Sequence, residues 1–256
     1  MADKKTILIT GATAGFGWAC ARLFAAHNWR LILCGRRRER LEELREILAD
    51  SAVHIAVCDV RDQGQVAVMI DGLPEEYSRI DVLLNNAGLA LGLNHAQSAD
   101  MEDWETMVDT NIKGLLYLTR AVLPAMVASG RGQVVNMGSV AGSWPYPGGN
   151  TYGATKAFVQ QFSRNLRADL HGTGVRVTNI EPGMAETEFS LVRFHGDRDQ
   201  AGNVYQGVTP LTGDDIAEIV YWTVCRPQHV NINSVEVMPT CQSWSPFAVH
   251  RESGQG

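Results

Sequence analysis

The chain has 256 residues, 22 Lys and Arg against 28 Asp and Glu, a formal charge of -6 and 45% hydrophobic residues. That acidic balance argues against nucleic acid as the main partner, since phosphate binding wants a basic surface. No Pro/Gly/Ser-rich linker, low-complexity tract or repeat interrupts residues 1–256, so one α/β domain with a sizeable core is expected, and the five scattered cysteines are not expected to form a disulfide framework.

Met1-Ala2-Asp3-Lys4-Lys5 runs straight into an apolar, β-forming stretch ending at Thr10. That leaves no room for a signal peptide, and no apolar run approaches a membrane span, so a cytoplasmic protein without membrane contact is expected. Next comes Gly11-Ala12-Thr13-Ala14-Gly15-Phe16-Gly17 and a helical pattern through Ala26. A strand, a glycine turn and a helix start at the first βα turn make a dinucleotide site, in which Gly11, Thr13, Gly15, Phe16 and Gly17 let the backbone approach a pyrophosphate that meets free N–H groups. The spacing G-x-x-x-G-x-G differs from the commoner G-x-G-x-x-G.

Further strand-like runs lie at 30–34, 53–58, 81–85, 132–137, 174–180 and 234–238, with helical stretches between most of them. The alternation predicts a Rossmann-type, doubly wound parallel sheet with helices on both faces and ligands at the carboxyl ends of the strands. Those ends carry the chemistry. Strand two ends in Leu33-Cys34-Gly35-Arg36-Arg37-Arg38, where an acid would hold a ribose 2′-hydroxyl; arginines suit a 2′-phosphate, so NADP(H) is expected over NAD(H), with Arg36 and Arg37 as contacts. The bland alternative is a solvated, charged helix start over 36–40. Asp59 and Val60 follow strand three, with the carboxylate placed for an adenine amino group, and Asn86-Ala87-Gly88 after strand four lets the backbone approach the cofactor.

Tyr152 and Lys156 are four residues apart on a predicted helix, which puts phenol and ammonium on one face. A nearby cation is expected to lower the phenol pKa and make it a base at neutral pH. Ser139, just after the strand ending at Met137, is placed to hydrogen-bond and polarise a substrate carbonyl.

In order along nearly the whole chain, Thr10 to Gly17, Asp59, Asn85 to Gly88, Asn111, Ser139, Tyr152 with Lys156, and Pro182-Gly183 followed by Thr187 resemble the short-chain dehydrogenase/reductase family. The resemblance implies an NADP-dependent oxidoreductase acting on a CH–OH group, a homotetramer, and a tetrad of Asn111, Ser139, Tyr152 and Lys156. Lys156 would also hold the nicotinamide ribose, Thr187 would contact the carboxamide, and Asn111, within a helix over 104–122, would anchor a water chain. An Asn that bonds nearby backbone is the alternative for Asn111.

A narrower resemblance joins 138–146, 169–173 and 187–194 to the NADP-dependent 3-hydroxy acid dehydrogenases, with semialdehyde and sulfoacetaldehyde reductases close by. Small anionic substrates follow from it. Arg193 is the candidate cation, with Ser139, Trp144, Tyr146 and Asn150 lining the substrate loop region over about 184–210. Arg193 would otherwise pair with Glu188 or Asp197. The loop Met184-Ala185-Glu186 is a residue shorter than that branch leads one to expect and lacks its glycine, so a carboxylate there would reshape the pocket towards a sulfonate. Cys225, His229 and Cys241 lack zinc-site spacing, so no metal is expected. The tail over about 239–256, with Trp244, Pro246 and Phe247, covers a neighbouring subunit or folds back on its own domain. The competing classes are a non-catalytic NADP(H) sensor, which would be expected to lose Tyr152 or Lys156, and a methyltransferase, which would want an acid where Arg36 stands.

Overall fold

Along β1 (Thr6–Thr10) Ile7 and Ile9 join one buried cluster and Leu8 the other, all with no exposed surface. Successive side chains on a strand face opposite ways, so a strand read as a continuous apolar run must be covered on both faces. The computed structural model describes residues 4–244. Among them β1, β2 (Arg30–Gly35), β3 (Val53–Val57), β4 (Val82–Asn85), β5 (Gly132–Met137), β6 (Val175–Pro182) and β7 (Ser234–Val237) form one parallel sheet in the order β3-β2-β1-β4-β5-β6-β7. The expected Rossmann-type single-domain architecture is what the chain adopts.

One face is packed by α1 (Gly15–Ala26), α2 (Arg38–Ile47) and α9 (Gly213–Val224), through Phe24, Leu41, Leu44 and Val220. The other is packed by α3 (Gln63–Asp71), α5 (Leu115–Ala128) and α6 (Asn150–Asp169), through Val66, Leu118, Val122 and Leu166. The chain winds outward from β1 to β3 and then returns to β4 on the other side of β1. This reversal leaves a crevice between the ends of β1 and β4. Thr10 stitches it together: its hydroxyl accepts from the N–H groups of Asn86 (3.0 Å) and Ala87 (2.9 Å), and Asn86 Nδ2 donates to Thr10 O at 2.9 Å.

The continuous helix expected over 104–122 is two α-helices, α4 (Met101–Val108) and α5, joined by a π-helical turn at Asp109–Gly114. The wide turn lets Asn111 reach back to Leu89 and seats Gly114 against Val60, where a Cβ would stand 2.8 Å from Val60 Cγ2. Two short helices, α7 (Glu188–Arg193) and α8 (Arg198–Asn203), build the segment after β6. None of the helices among the described residues is long and apolar enough to cross a membrane.

Candidate active site

The crevice opens into a cleft of about 610 Å³ that runs from the glycine loop to the far side of α7. Gly11 (φ 65°) and Gly15 (φ 52°) take left-handed conformations that side-chain-bearing residues resist, which turns the chain sharply into α1. Ala14 caps α1 without a side-chain bond, and the first turn holds no acid. The N–H groups of that turn therefore face the cleft without an internal side-chain acceptor, the arrangement that receives a phosphate. Thr13 and Phe16 line the cleft beside them; Gly17 does not. Gly17 is buried against Gly11 O and Asn86 Nδ2, so its missing side chain serves close packing of helix on loop, not contact with a ligand.

At the β2 end Arg36 and Arg37 line the cleft. Arg37 donates to Thr13 Oγ1 from Nη2 (2.9 Å) and Nε (3.3 Å), which fixes its guanidinium against the glycine loop. Asp59 also lines the cleft, but its carboxylate is taken by Arg61 in a bidentate pair at 2.6–3.0 Å, with Arg36 at 4.0 Å. Arg61, hydrogen-bonding Asp59 above all, holds that carboxyl below the usual range. Gly88 completes the cradle: a Cβ there would lie 3.2 Å from Asn111 Oδ1 and 3.5 Å from Lys156 Nζ. An uncapped helix start, two arginines and a side-chain-free passage fit a phosphorylated dinucleotide.

Tyr152 and Lys156 sit on the first turns of α6, both buried. Lys156 Nζ donates to Met137 O at 2.7 Å and lies 5.7 Å from the centre of the Tyr152 ring. Burial brings this lysine down to about 8. Burial also pushes the Tyr152 phenol up to about 12, against the lowering effect of a hydrogen bond with Ser139 and the charge of Arg193. The expected depression of the phenol by Lys156 is therefore not what these surroundings produce; burial of the phenol dominates, and the equally buried lysine has its own pKa lowered. Ser139 accepts from Ala141 N at 3.1 Å and stands 3.4 Å from Pro182 O, between β5, β6 and α6.

Asn111 is engaged on every side. Its Nδ2 donates to Leu89 O (2.8 Å) and Thr155 Oγ1 (3.0 Å), and its Oδ1 accepts from Leu89 N (2.9 Å). The side chain thus binds backbone, the alternative reading of the sequence, although across 22 residues and not within its own helix.

On the far side of Tyr152, Arg193 hangs over the rings of Tyr152 (5.3 Å) and Phe189 (5.1 Å), with Nη2 3.3 Å from Tyr146 Oη. Its Nε is buried with no hydrogen-bond partner, and no carboxylate among the described residues lies within ion-pair distance of it. Glu188 is drawn to Arg37 and Arg40 instead, and Asp197 caps α8. Trp144 walls the cleft: its Nε1 and that of Trp244 both donate to Glu236, at 3.1 and 3.2 Å, and the two rings lie 5.8 Å apart. The described part of the tail therefore folds back on its own domain; Pro246 and Phe247 lie outside the described residues.

Two expected pocket groups are elsewhere. Asn150 does not line the cleft; at the start of α6 it donates to Asn94 O and accepts from Thr151 N. Glu186 is exposed and does not line it either, because the short loop pairs Ala185 with Leu211 and turns the carboxylate outward. Pro182 ends β6 and Gly183 follows it, with Gly183 N donating to Val237 O at 2.7 Å. Thr187 caps α7 by accepting from Phe189 N, and its Cβ stands 3.3 Å from where a Gly15 Cβ would be. The sequence reading missed Phe189, Glu188 and Gln242, which accepts from Met184 N at 2.7 Å. Only Glu188 left a local trace, an acid in a helix's first turn behind a Thr cap.

A first βα turn open to a phosphate, arginines at the end of β2 and buried Tyr152 and Lys156 beside half-buried Ser139 at the cleft floor define a nicotinamide-dinucleotide oxidoreductase. Residues 5–196 match the family model described as short chain dehydrogenase, and the chain belongs to that family. It is 58% identical over 248 residues to sulfoacetaldehyde reductase 2 of Chromohalobacter salexigens, covering 96% of this chain and 98% of that one. It is 56% identical over 247 residues to the NADP-dependent 3-hydroxy acid dehydrogenase YdfG of Escherichia coli K12, covering 96% and 99%. The closed form of serine dehydrogenase complexed with NADP+ superposes with a TM-score of 0.95 at 55% identity, covering 96% of this chain and all of that one. The protein is an NADP-dependent oxidoreductase.

Proposed function

We propose that the protein interconverts a small anionic aldehyde and its hydroxy acid, sulfoacetaldehyde with isethionate or malonic semialdehyde with 3-hydroxypropionate, as a cytoplasmic homotetramer. One observation carries the reading: Arg193 is a cation beside Tyr152 with a buried Nε left unpartnered and no carboxylate partner among the described residues. A buried polar group without a partner costs free energy, and a substrate anion removes that cost at the place where the reacting carbonyl must sit. The names of the relatives, one for a sulfonate and one for hydroxy acids, point the same way.

NADPH, when bound, supplies the hydride. The first-turn N–H groups of α1 receive its pyrophosphate, Arg36 and Arg37 its 2′-phosphate, Asp59 and Val60 flank its adenine, and Asn86, Ala87, Gly88, Pro182, Gly183 and Thr187 border its nicotinamide half. Lys156 holds the ribose there. Ser139 orients and polarises the substrate oxygen, and Tyr152 donates its proton to that oxygen. With its pKa at about 12 the phenol carries this proton at neutral pH, the state that reduction requires. In the reverse direction Tyr152 must first lose its proton, and the phenolate Oη then accepts the proton of the substrate hydroxyl that Ser139 orients, so alcohol oxidation is favoured as pH rises. Asn111 positions the 86–89 turn against α6. Trp144 and Tyr146 close the substrate side, and Tyr146 directs Arg193.

Initial rates of NADPH oxidation with sulfoacetaldehyde, malonic semialdehyde and propanal test the proposal. Both anions are expected to exceed propanal in kcat/KM, and the larger of the two identifies the physiological class. Equal efficiency for propanal would remove the anion site.

A further inference from the structure

Glu188 opens α7 and reaches across the cleft to the other end of the cofactor site. Its carboxylate lies 3.4 Å from Arg37 Nη1 and 3.5 Å from Arg40 Nη2. Arg37 is otherwise fixed by Thr13, so Nη1 is the edge it gives to Glu188. The neighbouring arginines are also partly neutralised: Arg40 lies 3.6 Å from Glu43, and Arg36 lies 4.0 Å from Asp59.

We propose that Glu188 is a specificity-determining residue for the cofactor: it shares the Arg37 guanidinium with the 2′-phosphate of NADP(H) and weakens the hold on that phosphate. The inference rests on the cofactor and on Arg37 as its 2′-phosphate contact, and is independent of which aldehyde is reduced. A phosphate on Arg37 is placed beside a carboxylate bound to the same group, and like charges separated by several ångströms repel even where solvent screens them. NADH offers a neutral hydroxyl at that position and does not feel the carboxylate. The attenuation keeps the dinucleotide exchangeable, which matters where product release limits turnover.

Glu188→Gln keeps the shape and removes the charge. Fluorescence titration of the variant is expected to give NADPH a Kd roughly three- to tenfold lower than wild type at low salt, with NADH unchanged and the gain shrinking as salt rises. The pair 2′,5′-ADP and 5′-AMP, which lacks the nicotinamide, is expected to repeat the pattern. Glu186→Gln removes an equal charge from an exposed site outside the cleft and is expected to change neither Kd. Equal weakening of NADPH and NADH in Glu188→Gln would make the residue a mechanical tie for α7 and overturn the proposal, as would an unchanged NADPH Kd or the same tightening in Glu186→Gln.

Discussion

Tyr152 and Lys156 are a pair whose properties come from burial more than from each other. Burial raises the phenol to about 12 and lowers the lysine from 10.5 to about 8. For Lys156 the unfolded chain binds more protons than the folded one between those two values. Its contribution therefore penalises the fold below about pH 8 and is relieved as pH rises towards 10.5. Lys156→Met removes this dependence. Urea unfolding at about pH 7.5 and about pH 10 is expected to give a gain in stability with pH that is smaller in the variant by on the order of 2 kcal/mol. Equal gains in both proteins would contradict a buried lysine whose pKa is lowered. The residue types and spacing of this pair were legible in the sequence, because i to i+4 on a helix is a local relation. Their pKa shifts were not, because desolvation depends on everything packed above them.

The π-helical turn between α4 and α5 shows what periodicity could not carry. An apolar stripe over 104–122 reads as one helix whether or not one turn is widened, and the widening is selected by distant contacts, Leu89 and Thr155 for Asn111 and Val60 for Gly114. Asn111→Ala leaves the Leu89 N–H and C=O and the Thr155 hydroxyl without that partner. A loss of about 1–3 kcal/mol in unfolding free energy is expected, read from the denaturant midpoint, with a weaker Kd for NADPH as the 86–89 turn loosens. An unchanged midpoint would show that the amide contributes nothing to holding the turn. The strands, by contrast, were readable to within one or two residues. Continuous apolar runs between turn residues require a sheet covered on both faces, and β6 exceeded its expected end only because Pro182 continues to pair with Val237.

For the molecule as a whole, the sheet order decides which distant residues meet. Gly11, Arg37 and Tyr152 could be assigned to one cleft from the sequence because each ends or follows a strand in a parallel sheet. Asn150 and Glu186 were misplaced because proximity in sequence to Tyr152 and to Thr187 does not fix which way a side chain faces. Gln242 and Trp244 reach the cleft from beyond the last strand, and the tie from Glu188 to Arg37 spans 151 residues, separations across which no local pattern extends. Arg193 was singled out because a basic residue just past Thr187 suits an anionic substrate, and the structure leaves it without a carboxylate among the described residues.

The central claim is that Arg193 makes the site selective for anions, and the most direct measurement is the change in that selectivity on Arg193→Met. With NADPH, kcat/KM for sulfoacetaldehyde and malonic semialdehyde is expected to fall about 100-fold in the variant while that for propanal changes less than about threefold. Parallel losses for charged and uncharged aldehydes would mean that Arg193 supports the fold of α7 and does not recognise the substrate.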